Sequence, residues 1–397
     1  MVATALSGWT VRLAARSGSP RRERVPDLNA SPLRALILSA SFGSGHHQAN
    51  EAVGQAMMDA RPGTQVRQSD FLNHITPLER MVVLGFYLGW LRYSPAIYRQ
   101  YYQFTDKESG PRAIRDTYFW MGRRSLRREL NEYLPDTVVS SYPTPAAVAG
   151  HIRDRSGPPF MNTLIVTDYR IHQHWVRFET DLLLVATPEA AEQMVSRGIQ
   201  ADRVVVSGIP IHARYRALMG ANKAALRLKH GLAPELPLLL ISGGGQGLYR
   251  SLEKVVNALG QLGRRVQVLV LAGADQVGIR QQGGATVHRL GFTTDFPELL
   301  AAADLVVGKA GGLTVAEATT LSVPLVIYDP IPGQEEYNAQ YLVSKGAAIW
   351  GKELHRLRPA VLRALDEGEH ARLSAAAKAM GVPDAAERAA RAILERL

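Results

Sequence analysis

The 397-residue chain contains no cysteine. A disulfide framework, a thiolate nucleophile and a thiolate metal site are all excluded. A reducing compartment fits this composition without being required by it. Long apolar runs are missing as well. Crossing a bilayer takes about 18 or more consecutive apolar residues, and the nearest stretch, "MVVLGFYLGWL" at 81–91, is too short. Any membrane contact is therefore expected to be peripheral. Two phosphate motifs are also lacking. No GxxxxGK followed by Ser or Thr occurs, and "GKAGG" at 308–312 does not supply it, which argues against a P-loop NTPase. Neither glycine turn carries a complete GxGxxG with an acid about 20 residues on, which disfavours a nicotinamide enzyme.

Acidic residues are outnumbered, 36 against 46 Lys and Arg, for a formal charge of +10. Such a balance suits nucleic acid, an anionic membrane surface or phosphorylated substrates. Hydrophobic residues at 46% and charged residues at 21% are those of a folded soluble protein, and the length calls for two domains. Residues 1–33 stand apart. "RSGSPRRERVPDLNASP" is polar, basic and broken by proline, so the segment is expected to be a disordered leader, with a targeting segment as the alternative.

From residue 34 the pattern becomes regular. "LRALILSA" reads as a buried strand, followed by a glycine turn, the helix "HHQANEAVGQAMMDA" and a second strand in "TQVRQSDFL". Further short apolar runs, "TVVSSYP", "TLIVTDY", "DLLLVAT" and "RVVVSGIP", have the look of parallel strands buried on both faces. After a basic link the alternation restarts with "LLLISGGGQG", "VQVLVLAG", "ATVHRLGF", "DLVVGKAGG" and "PLVIYDP". This predicts an α/β fold with a first domain at 34–215 and a second at 216–397 that ends in an alanine-rich helix. Residues 78–130 interrupt the first domain with aromatic residues and then arginines, Arg112, Arg115, Arg123, Arg124, Arg127 and Arg128 among them. Rings among cations suit a lipid headgroup interface; an ordinary helical pair with a solvated basic face is the alternative. No RNA-binding signature accompanies the mixture, and no nucleic-acid partner is expected.

Four loops carry chemistry. "ISGGGQG" at 241–247 brings Gly244 and Gln246 to a strand end, where backbone N–H groups can approach an anion. "VVGKAGGLTVAEA" at 306–318 places Gly312 and Thr314 at a helix start, which binds anions through free N–H groups and the helix dipole. Glu317, three residues after Thr314, either closes a capping box on its own helix or accepts hydrogen bonds from a ribose diol. "DPIPGQEEYNAQYL" at 329–342 crowds Gln334, Glu335, Glu336 and Asn338 into one loop, a cluster that can grip several hydroxyls of a sugar or simply be solvated. "SFGSGHHQAN" at 41–50 delivers His46 and His47 where a phosphate turn would normally end, and His46 is either a base or a helix cap. All lie at apparent carboxyl ends of parallel strands, where α/β sheets bind ligands.

"SFGSGHHQAN", "VTDYRIHQHW", "VVVSGIPIHARY", "ISGGGQG", the "GF" at 291, "VVGKAGGLTVAEA" and "IPGQEEYNAQYLVSKGAA" occur in an order that resembles glycosyltransferase family 28. Within it they are most similar to the branch of monogalactosyldiacylglycerol synthases and processive diacylglycerol glucosyltransferases. The resemblance implies a GT-B fold, two Rossmann-like domains facing across a cleft. It implies that Gly244, Gln246, Gly312 and Thr314 hold the diphosphate of a UDP-sugar, that Glu317 holds the ribose, and that Phe292 sits against the uracil. Gln334 and Glu335 would bind sugar hydroxyls. His46 would be the catalytic base, with Asp168 also catalytic, and Gly45, His172 and Trp175 on the acceptor side. The implied reaction is inverting transfer of glucose or galactose from a UDP-sugar to diacylglycerol, on the inner face of the cell membrane, with no cofactor and no required metal. His46 at a helix start is expected to be neutral because the helix dipole disfavours imidazolium. Transfer to a lipid-linked peptidoglycan precursor or a small molecule, and a UDP-sugar epimerase or regulator on the same fold, are the alternatives.

Overall fold

In a computed structural model of the chain, the described residues are 32–40, 44–81, 85, 94–106, 120–242, 252–271, 277–291 and 293–397. The leader through residue 31, and part of the interruption at 78–130, lie outside them.

Among the described residues the first half holds six strands: β1 (Arg34–Ser39), β2 (Gln65–Asp70), β3 (Thr137–Ser140), β4 (Met161–Ile165), β5 (Leu182–Val185) and β6 (Val204–Val206). They form one sheet in the order β2-β1-β3-β4-β5-β6, every pairing parallel. The second half holds β7 (Leu238–Ser242), β8 (Val266–Leu271), β9 (Gly278–Gln282), β10 (Ala285–Leu290), β11 (Leu305–Gly308), β12 (Leu325–Ile327) and β13 (Ala348–Trp350). Their order is β13-β12-β11-β7-β8-β10-β9, parallel except for the β9–β10 hairpin. Each expected strand is present. β9 and β13 were not anticipated: "GIRQQ" is polar and almost wholly exposed at the sheet edge, and "AIW" is only three residues long.

Helices among the described residues include α1 (Ser44–Ala60), α2 (Pro95–Thr105), α3 (Arg123–Tyr133), α4 (Pro143–Asp154), α5 (Pro188–Ser196), α6 (Ala213–Ala217) and α7 (Lys223–Lys229), then α8 (Leu252–Gly260), α9 (Phe296–Ala302), α10 (Gly312–Thr320), α11 (Gln334–Ser344), α12 (Leu354–Ala364), α13 (Glu367–Met380) and α14 (Ala385–Leu394). Local chemistry sets several starts. Proline, whose missing N–H is no loss in a first turn, opens α2, α4 and α5. The Thr187 hydroxyl, the Asn222 amide and the Asp366 carboxylate cap α5, α7 and α13.

Helix α1 buries Ala49, Ala52, Val53, Ala56 and Met57, a stripe at helical spacing, against the first sheet. The terminal helix, which the sequence reading put with the second domain, packs elsewhere. Its alanine face (Ala386, Ala389, Ala390) and Ile393 close the core of the first half with Leu33, Ala35 and Ile37. Small side chains let α14 lie close to α1. The halves also share an apolar seam, in which Tyr169, Ala186 and Ile209 pack with Val315, Ala339 and Leu342. Among the described residues no helix is long and apolar enough to cross a membrane.

Candidate active site

Both sheets reverse their winding direction once. In the first sheet the reversal falls between β1 and β3. His46 follows β1, and Ser141 and Tyr142 follow β3. In the second it falls between β7 and β11, where "AGG" follows β11; "GGGQG", after β7 in sequence, lies outside the described residues. Helices on opposite sides of diverging loops leave a crevice open for a ligand at such a reversal.

The two crevices meet. The α-carbon of Gly312, at the start of α10, lies so near the Thr167 carbonyl that a Cβ placed there would come within 1.8 Å of its oxygen. Gly45, at the start of α1, lies in contact range of Leu313, 3.5 Å from its Cβ by the same construction. The amino ends of α1 and α10 therefore converge on one region, with two sets of free N–H groups and two positive dipole ends suited to an anion.

His46 is half-buried here. Its Nδ1 lies 3.5 Å from the Thr167 hydroxyl, its ring meets Tyr142 edge-on at 5.3 Å, and its carbonyl accepts a bond of 3.0 Å from the Ser141 hydroxyl. Burial drives the imidazole down to about 4, against a weaker upward pull from a hydrogen bond to the Ser141 backbone. The ring is neutral at physiological pH, and the cause is burial, where the sequence pointed to the helix dipole. His47 is exposed and pairs with Glu51 at 3.3 Å, one turn along the same helix, so the two histidines are separated by environment.

Asp168 follows Thr167. Its carboxylate accepts from the Trp175 indole at 3.0 Å and from the Asn338 amide at 3.3 Å, and burial raises its pKa. Asn338 belongs to α11 of the second half and is fully buried. It also accepts from the Tyr169 N–H at 3.0 Å and donates to the Ala310 carbonyl at 3.0 Å. The sequence reading grouped Asn338 with hydroxyl-gripping residues; here its amide is spent on joining the halves. The presence of a polar side chain at helical spacing among Ala339 and Leu342 was the available signal.

His172 is buried, with both ring nitrogens engaged. Nε2 lies 2.9 Å from the Tyr102 carbonyl, Nδ1 accepts from the His174 N–H at 3.0 Å, and the ring packs on that of Tyr102 at 4.0 Å, tilted by 35°. Trp175 is buried behind Asp168. In this arrangement both support neighbouring groups: His172 holds α2, and Trp175 orients Asp168.

On the donor side, Thr314 is half-buried in the first turn of α10. Glu317 is buried, and desolvation lifts its carboxyl to about 7, with Tyr215 and Arg214 of α6 pulling it back. The capping-box alternative fails, because the residue before α10 is Gly311 with no side-chain cap. Half of such a box forms at α11, where Glu336 accepts from the Gly333 N–H at 3.0 Å; Gly333 has no side chain to return the bond. Glu335 accepts from the Ile331 N–H at 2.6 Å and faces Gly311; burial raises its carboxyl to about 7, opposed by Lys309. Gln334 receives the Tyr98 hydroxyl at 3.4 Å. Gly244, Gln246 and Phe292 lie outside the described residues. Among the described residues no cluster of three or more His, Asp or Glu is placed to hold a metal.

Two doubly wound sheets meeting at the carboxyl ends of their strands define a GT-B architecture. The solved structure of MurG from Acinetobacter baumannii superposes with a TM-score of 0.63 at 19% identity, covering 92% of this chain and 100% of that one. Residues 46–211 match the profile of monogalactosyldiacylglycerol (MGDG) synthase, and residues 238–389 match the glycosyltransferase family 28 C-terminal domain. The chain belongs to glycosyltransferase family 28. Its relatives include the processive diacylglycerol beta-glucosyltransferase of Bacillus subtilis (strain 168), 29% identical over 80% of this chain and 82% of that protein. The protein of the same name from Staphylococcus carnosus (strain TM300) is 28% identical over 79% and 80%.

Proposed function

We propose that this glycosyltransferase moves a hexose from a UDP-sugar to diacylglycerol, with inversion at the anomeric carbon. The observation that carries the reading is the match of residues 46–211 to the MGDG synthase profile, because that span contains both His46 and Asp168. The names of the curated relatives support the same acceptor.

The site geometry supports a base-assisted displacement. The neutral His46 imidazole takes the proton of the acceptor hydroxyl as its oxygen attacks the anomeric carbon. The bond from that carbon to the UDP oxygen breaks on the opposite face, and UDP leaves with the electron pair. The converging starts of α1 and α10 offer fixed dipoles to the developing charge, and a metal-free reaction is part of the proposal. Glu317 accepts from the ribose diol, and Gln334 and Glu335 hold the sugar.

In this reading the reaction runs at the inner membrane face. Ile97, Phe104 and Trp120 are exposed on the interruption of the first half, and the Arg123 guanidinium lies 5.2 Å over the Trp120 ring. Cations and apolar side chains on one surface suit an anionic leaflet. Not all of the aromatic stretch serves this surface: Tyr98 and Tyr102 are buried against protein.

A product assay tests the proposal. Purified protein is incubated with diacylglycerol liposomes and UDP-glucose or UDP-galactose, and UDP release and lipid products are followed by mass. A hexosyl-diacylglycerol is the expected product, and the better donor identifies the sugar. UDP release with no glycolipid in either reaction overturns the acceptor assignment.

A further inference from the structure

Helix α2 belongs to the interruption of the first half, yet one of its faces is given to the second. Tyr98, Arg99 and Tyr102 lie within one arc of the helix, since positions one and four apart differ by about 100° and 40°. All three contact residues 333–337. The Tyr98 hydroxyl donates to Gln334. The Arg99 guanidinium forks onto Glu336, with bonds of 2.7 and 3.2 Å. The Tyr102 ring covers Gly333, whose φ of +84° and lack of a side chain are both needed: a Cβ there would lie 2.5 Å from the ring. It also packs against Tyr337 at 5.8 Å.

These contacts surround Gln334 and Glu335, the two side chains assigned to the sugar. Glu336 does double duty. Its Oε2 caps Gly333, and both carboxylate oxygens take the Arg99 fork. A bidentate guanidinium fixes a carboxylate in plane and direction, so Arg99 sets the angle at which the chain enters α11. The opposite face of α2 carries the exposed Ile97 and Phe104. The same helix thus meets the donor loop on one side and solvent, or an acceptor surface, on the other.

We infer that α2 is a positioning strap for the donor sugar, with Tyr98 and Arg99 setting where Gln334 and Glu335 sit. This rests on the reading of residues 334 and 335 as sugar contacts. Neither Tyr98 nor Arg99 touches the reacting atoms in this scheme; both act through the loop.

The readout is the ratio of UDP affinity to UDP-hexose affinity, measured by calorimetry on the full chain without acceptor. It isolates what the sugar adds. In wild type UDP-hexose is expected to bind more tightly than UDP. In Tyr98→Phe and Arg99→Ala the UDP affinity stays within about twofold, while the sugar's added affinity falls about tenfold, the weight of one well-placed hydrogen bond. Arg99→Lys restores part of it, because an ammonium keeps the charge and loses the fork. Lys345→Ala serves as the comparison: it cuts another tie between α11 and the first half, the pair with Glu189, at the far end of the helix, and is expected to leave the ratio unchanged. A wild-type ratio in both Tyr98→Phe and Arg99→Ala overturns the strap. An equal drop in Lys345→Ala also overturns it, in favour of general docking of the halves. Failure of wild type to favour UDP-hexose over UDP refutes the sugar-loop reading itself, and the strap with it.

Discussion

Among the described glycines, Gly312→Ala brings the shortest added-methyl contact. The added methyl would sit 1.8 Å from the Thr167 carbonyl oxygen, where real Cβ atoms keep at least 3.0 Å. The difference, 3.0 minus 1.8, requires the start of α10 and the chain just past β4 to separate by about 1.2 Å. Neither neighbour is a flexible side-chain tip; both are backbone. The Ile209 side chain, 3.4 Å away on another side, limits sideways escape. Overpacking of this kind typically costs about 1–3 kcal/mol, so the protein is expected to fold with a lower Tm. Activity should suffer more. The displacement moves the α10 amino end away from Thr167 and hence from His46, and a misplacement of about 1 Å costs on the order of 100-fold in rate. The assay is kcat/KM for UDP-hexose beside thermal unfolding of the same preparation. A loss of kcat/KM on the order of 100-fold, with a Tm shift of several degrees, is expected. Wild-type kcat/KM in a folded Gly312→Ala protein would refute the close approach of the two crevices, and with it the convergence of the helix starts.

Four further outcomes are expected. His46→Ala should lose about 10²–10⁴-fold in turnover, the usual range for a general base, with UDP affinity unchanged by calorimetry; near-normal turnover removes His46 from the reaction. Because its folded pKa is depressed to about 4 from the ordinary 6.5, the unfolded chain binds more protons between those values. This residue's contribution to stability is complete above about pH 6.5 and is lost as pH falls toward 4; the stability of wild type relative to His46→Ala should fall across that window in urea unfolding. Asn338→Leu leaves the Tyr169 N–H, the Ala310 carbonyl and one Asp168 oxygen short of a partner, and should destabilise by about 3 kcal/mol or more in urea unfolding; a loss below about 1 kcal/mol would refute the joint. Glu317 has its carboxyl raised to about 7, so the acceptor form of this group grows as pH rises through 7. UDP affinity should therefore rise more steeply between about pH 6 and 8 in wild type than in Glu317→Gln, where only the ligand's own terminal phosphate titrates; parallel pH profiles would remove Glu317 from the ribose site.

Much of this was legible in the chain. Strands buried on both faces must be apolar throughout, and short runs of that kind, ended by turn residues, announced the two sheets. The glycine turns after β1 and β11 announced helix starts, since only a tight strand-to-helix turn needs them there. Residue order also pointed to the family. Other features had no local signature. The polar edge strand β9 exists because β10 offers it a ladder, and its own side chains carry no pattern that requires a strand. The alanines of α14 read only as helix; that they belong with Leu33, Ala35 and Ile37, at the other end of the chain, follows from the close packing that small side chains permit. The motif marked His46 as a base, but its neutrality is set mainly by burial between Thr167 and Tyr142, which follow other strands. The sequence grouped Asn338 with the sugar loop, whereas three partners from both halves turn it into a joint. Composition and periodicity determine which segments become strands and helices, because those depend on neighbours a few residues away. Which polar groups face a substrate and which are consumed in holding the halves together was decided by the tertiary structure, because a hydrogen-bonding group is spent on whatever partner the fold brings within about 3 Å of it.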